Sequence, residues 1–196
     1  MIAQVGFAFV LAMAALMASL IVRHAVPFVR HYIQFAALLY LAFATALIVA
    51  LVFPTAAPES AAATGSNLVC ALAPASLVVA VFASFEHRPR GWIVSIVLLA
   101  ACVCGLFSAS TGAGAPAVTA LFASVCGMLA LAVRKSRRDW RVASDVIIAS
   151  LCLIAGAAST ASRSSQIAFA LFSSAGLLGI ALGVSRKSHL TIEEDG

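Results

Sequence analysis

Charge is the scarcest commodity in this chain. Only 10% of its 196 residues are Asp, Glu, Lys or Arg, against about 25% in soluble domains, while 63% are hydrophobic and the mean hydropathy is +1.10. Such a composition cannot cover a water-soluble fold with polar surface. The apolar residues lack the period-two alternation of a transmembrane barrel. Proline is also scarce, with six residues, and only Pro74 falls inside an apolar block. The five cysteines lie within apolar blocks and have no zinc-like spacing, so neither a disulfide framework nor a zinc site is indicated.

The missing charges exclude much chemistry. Ionisable residues inside a bilayer mark proton relays, ion sites and catalytic groups, yet no apolar block carries Lys, Arg, Glu or His at its centre. Ion-coupled transporters, intramembrane proteases and intramembrane phosphotransferases are disfavoured on that ground. A retinal-binding bundle needs a lysine in its last span, and Lys135 and Lys187 both fall outside the blocks. Integral b-type haem needs histidines facing one another within the bundle, and His24, His31, His87 and His189 all lie between or beyond the blocks.

What is present is a series of apolar blocks about as long as a hydrocarbon core is thick at 1.5 Å rise per helical residue. They run over Ile2 to Val22, Tyr32 to Phe53, Asn67 to Phe85, Gly91 to Ser110, Pro116 to Val133, Val142 to Thr160 and Gln166 to Val184. The first has no basic segment ahead of it and reads as a span rather than a cleavable signal. Pro116 is expected at the first position of its helix, and Pro74 is expected to kink the third. The fold class expected is all-α: a polytopic transmembrane helical bundle of seven spans, as one domain over 1–187, followed by a short acidic cytoplasmic tail over 188–196.

Orientation follows from the basic residues, since Lys and Arg in short loops stay cytoplasmic. Arg23, Arg30, Arg88, Arg90, Arg134, Lys135, Arg137, Arg138, Arg141, Arg186 and Lys187 fall in alternate connections and the tail, with Arg163 alone opposite. Seven spans with the N-terminus outside and the C-terminus inside place eleven of the twelve on one side. Trp92 and Trp140 fall at that same interface, where indole prefers to sit. The formal net charge of +5 is explained by this topology rather than by a nucleic-acid partner. Alanine richness and the preference for arginine over lysine suggest a bacterial cytoplasmic (inner) membrane.

Several motifs have both a functional and a structural reading. Asp145 lies four residues after Arg141 and is expected to pair with it at the interface. Ala175, Gly179 and Gly183 form a small-residue stripe suited to close helix packing. Arg134, Lys135, Arg137 and Arg138 form a basic cytoplasmic face able to meet acidic partners or anionic lipid. Val-Arg-His occurs twice, at Val22 and Val29, in what reads as a basic turn. Met13, Cys102, Cys126 and Cys152 fall near mid-bilayer; Met13 and Met17 resemble an element of copper-uptake transporters, which would imply a soft-metal site, whereas apolar filler is the structural reading.

The expectation that emerges is a non-enzymatic membrane subunit or regulatory protein, acting through helix packing and its basic cytoplasmic face. No cofactor is called for, and the partners expected are the lipid bilayer, a membrane protein or a second copy of the chain. The alternative is a permease or channel for a small, weakly polar solute. An enzyme is ranked last because no acid, base, nucleophile or metal constellation is recognisable.

Overall fold

The computed structural model describes residues 2–52, 59–85, 91–111, 114–133, 137–159 and 166–194. Those residues form seven α-helices: α1 (Ile2–Ile21), α2 (Pro27–Val52), α3 (Glu59–Phe85), α4 (Gly91–Thr111), α5 (Gly114–Val133), α6 (Arg137–Ser159) and α7 (Gln166–Glu194). A 3-10 turn, Val22–His24, follows α1, and no strand occurs among the described residues.

The helix ends show where local chemistry extends the apolar blocks. Pro27 opens α2 five residues ahead of the apolar block, because the first helical position needs no N–H and favours proline's fixed φ. Pro116 is the third residue of α5 rather than the first, still within the turn whose N–H groups have no helical acceptor. α7 continues to Glu194, so the acidic tail is a prolongation of the last helix. α3 starts at Glu59 and runs through Pro74 as one helix.

Three stretches are long and apolar enough to cross a membrane: Asn67–Phe85, Trp140–Ala158 and Ala168–Lys187. Shorter apolar stretches occupy Ala8–His24, Gly91–Phe107 and Thr119–Ala130.

The helices pack as two consecutive triplets and one outlier. α1, α2 and α3 lie side by side in chain order, as do α5, α6 and α7. α3 meets α5 and α7 meets α1, closing a ring of six, and α3 and α7 also touch across it. α4 stands outside, leaning on α3 and only lightly on α5. The ring's two halves have the same internal order, with α3 and α7 as counterparts.

The distribution of side-chain sizes is the reverse of a soluble core. Twenty of the forty buried apolar residues among those described are alanines. Large side chains such as Phe9, Leu20, Leu99, Phe107, Met128 and Ile148 face outward, each more than 60% exposed. Small residues let helix backbones approach closely, which is how helices associate where lipid removes the hydrophobic drive. Tyr40, Leu11, Ile33, Leu77, Leu153 and Leu177 are the bulkiest fully buried residues.

Candidate functional site

Polar side chains inside such a bundle must find partners, because no water competes for them and an unmade hydrogen bond is costly. Most described Ser and Thr hydroxyls solve this locally by bonding a carbonyl one turn back on their own helix. Ser19 bonds Ala15 O at 3.0 Å, Thr45 bonds Leu41 O at 2.8 Å, Ser76 bonds Leu72 O at 2.7 Å and Ser150 bonds Val146 O at 2.7 Å.

Among the described residues two hydroxyls reach across to other helices, one of them to a carbonyl that its own helix leaves unpaired. Pro74 has no N–H, so the carbonyl of Cys70, four residues earlier, lacks its helical donor. Thr119 of α5 supplies one: its Oγ1 donates to Cys70 O at 2.9 Å, fully buried. At the other end of the bundle α1 stops at Ile21 while the Ala25 N–H turns to Val22 O. There, where α1 passes into the 3-10 turn, Ser185 of α7 donates to Ile21 O at 3.3 Å. Neither Thr119 nor Ser185 stands out in the sequence. The advance signal for Thr119 is the rule that a proline inside a buried helix needs a donor from a neighbour; Ser185 has none.

Around Cys70 the polar groups accumulate. Thr119 lies against Cys70 through that bond, and Tyr40 of α2 is a further buried polar residue. On α7, Ser173 is fully buried and Ser174 nearly so, and neither hydroxyl has a hydrogen-bond partner. Ser173 Oγ lies 3.4 Å from where a Cβ on Gly156 of α6 would stand.

These groups share one level of the bundle. Lys187 lies over the Phe85 ring, 5.9 Å from its centroid. Fourteen residues back along both helices stand Ser173 and Ala71, the neighbour of Cys70. A second route agrees. Gly127 of α5 packs on Ser150 of α6, and six residues along these antiparallel helices Leu121 comes level with Gly156, which faces Ser173. Leu121 is two residues from Thr119.

Gly179 and Gly183 meet α6: a Cβ on Gly179 would stand 2.8 Å from Ala149 Cβ, and one on Gly183 3.3 Å from Asp145 Cβ. Ala175 is exposed and takes no part. The third member of the contact is Gly176, where a Cβ would come within 2.5 Å of Leu153 Cγ and 2.9 Å of Ala149 O. A one-residue shift rotates a helix face by about 100°, so a four-residue spacing starting at Ala175 drifts off the contact that 176, 179 and 183 maintain. Leu178 is partly buried against the core and does not face outward.

Asp145, expected beside Arg141, has a partner on another helix. Asp145 Oδ2 accepts from Arg186 of α7 at 2.6 Å. The α6–α7 contact brings the last apolar turn of α7 beside the first of α6, so the guanidinium arrives from the neighbouring helix. Arg137 and Arg138 open α6; Arg134 and Lys135 lie outside the described residues.

In the first connection Arg30 donates to Arg23 O at 3.3 Å and the His31 ring bonds Pro27 O, leaving the repeated motif as a cross-braced turn. Met13 and Met17 face outward, Cys126 is buried and Cys102, Cys104 and Cys152 are intermediate. No three of His, Cys, Asp and Glu come together among the described residues. No family model matches the chain, nor does a curated protein or a solved structure.

Proposed function

We propose that the chain is an integral membrane protein of seven spans, N-terminus outside and C-terminus in the cytoplasm, that acts without catalysis as a membrane subunit or regulator. The observation that supports it is the inverted size distribution, an alanine-rich interior beneath an outer surface of leucine, isoleucine, phenylalanine and methionine. In water that surface would be an aggregation liability; in lipid it is solvated. A basic cytoplasmic face including Arg134, Lys135, Arg137 and Arg138 meets anionic lipid or an acidic partner. Purification in mild detergent tests the subunit reading: a stoichiometric partner chain is expected, and a chain that isolates alone and folded contradicts it.

A second reading, a permease for a small, weakly polar solute, is favoured by one observation. The unpartnered Ser173 and Ser174 hydroxyls lie on α7, one of the helices through which two like-ordered triplets meet, and transporters built from parallel repeats bind their substrates between the repeats. Uptake by the chain alone in liposomes separates this reading from the first.

A further inference from the structure

We propose that the interior of the ring, at the level of Cys70, Thr119, Ser173 and Ser174, is a binding site for a small neutral hydroxylated molecule, with the two serine hydroxyls as its principal hydrogen-bonding groups. The site rests on the permease reading in its placement and not in its chemistry.

Three observations carry it. First, Ser173 and Ser174 depart from the behaviour of the other hydroxyls. A serine in a helix can always turn back to the carbonyl four residues earlier, as Ser19, Ser76 and Ser150 do. These two do not, although both are more than nine-tenths buried. Leaving a buried hydroxyl unpaired is destabilising, and native proteins keep such groups where water or a ligand completes them.

Second, the two hydroxyls bracket the inner face of α7. They are about 100° apart around the helix. Ser173 is directed to Gly156 on the α6 side, and Ser174 shares a face with Ser185, three turns on, which touches α1. Leu177, fully buried, lies on the arc between them.

Third, the same level carries a further neutral polar group from beyond α7's own neighbours in the ring, the Thr119 hydroxyl on the Cys70 carbonyl. Hydroxyls both donate and accept, so they match the alternating demand of a polyol. No Lys, Arg, His, Asp or Glu occurs in the sequence around any of these positions, so an ion would enter without a counter-charge.

The test uses the full chain and glycerol as probe. Saturation-transfer NMR on detergent-solubilised protein should show transfer to glycerol that weakens about tenfold in Ser173→Ala/Ser174→Ala, as expected for two lost hydrogen bonds. Alanine suits a buried helix, so the variant folds, and its ligand-free stability should equal or exceed wild type because two unpaired hydroxyls are gone. Lower ligand-free stability means that the hydroxyls are satisfied within the protein, which overturns the site. So does transfer that survives in the variant, or no transfer to the wild type. Liposome swelling in glycerol separates the two claims: flux unchanged in the variant keeps the permease reading and removes the site, whereas serine-dependent binding without flux keeps the site and removes the permease.

Discussion

Along α7 the residues that meet α6 are Gly176, Gly179 and Gly183, and a Cβ at the first two would strike the opposing helix below 3.0 Å. Along α4, Trp92, Ile96, Leu99, Val103 and Phe107 point outward, and the close approach to α3 is made at Gly105, where a Cβ would lie 3.2 Å from Leu68 Cα. Both helices are apolar throughout their span. What separates the helix inside the ring from the helix outside it is side-chain size, a contrast that follows from the proposed membrane placement, since in lipid leucine gains nothing by moving from solvent to partner while glycine gains backbone contact.

The comparison breaks most visibly at its tightest point. Gly176→Leu should cost about 3 kcal/mol or more, the upper range for overpacking, read as a lower midpoint in a denaturing-detergent titration; Gly179→Leu should follow it closely. Leu182→Ala, on the outward side of the same helix, should stay within about 0.5 kcal/mol. Equal tolerance of the two glycine changes and Leu182→Ala would remove close packing as the reason for the α6–α7 contact.

The polar latch between α3 and α5 ranks next. Thr119→Val strands the Cys70 carbonyl in the interior at a cost of about 1–3 kcal/mol, and Thr119→Ser should recover most of it. The explanation specifies a coupling: in a Pro74→Ala background residue 74 again offers an N–H to that carbonyl, so Thr119→Val should cost much less. Costs that add independently across the cycle would show that the latch does not answer the proline.

Much of this fold was legible in advance, and the boundary of legibility has a physical cause. The apolar blocks locate the helix ends at Phe85, Gly91, Val133 and Gln166, because each block stops where polar or helix-breaking residues start. The blocks are silent where a helix outruns its apolar part, as α3 does back to Glu59 and α7 does on to Glu194. They are equally silent on rotation: with every face apolar, hydrophobic periodicity cannot say which side packs, and Ala175 was chosen where Gly176 belongs. The site was less legible still. Asp145 meets Arg186 and Thr119 meets Cys70 between helices, 41 and 49 positions apart in sequence, and the unpaired state of Ser173 and Ser174 appears only once all neighbours are in place.

Smaller effects sharpen the same contrast. Asp145→Asn removes an ion pair whose arginine is 62% exposed, so it should cost under about 1 kcal/mol and less in high salt. Smallest of all, Leu99→Ala on the outer face of α4 should leave the unfolding midpoint within about 0.5 kcal/mol of wild type, since lipid replaces what the side chain touched. A loss of several kcal/mol there would mean that another protein, not lipid, covers α4.

The placement of the whole bundle in a membrane is tested most directly by single cysteines in a variant lacking the five native ones, probed on intact cells with an impermeant maleimide. Ala62→Cys and Gly112→Cys should label from outside, and Ser136→Cys and Ser188→Cys should label only after the membrane is opened. Labelling of Ser188→Cys on intact cells would contradict the seven-span, N-out arrangement on which the account of the basic face depends.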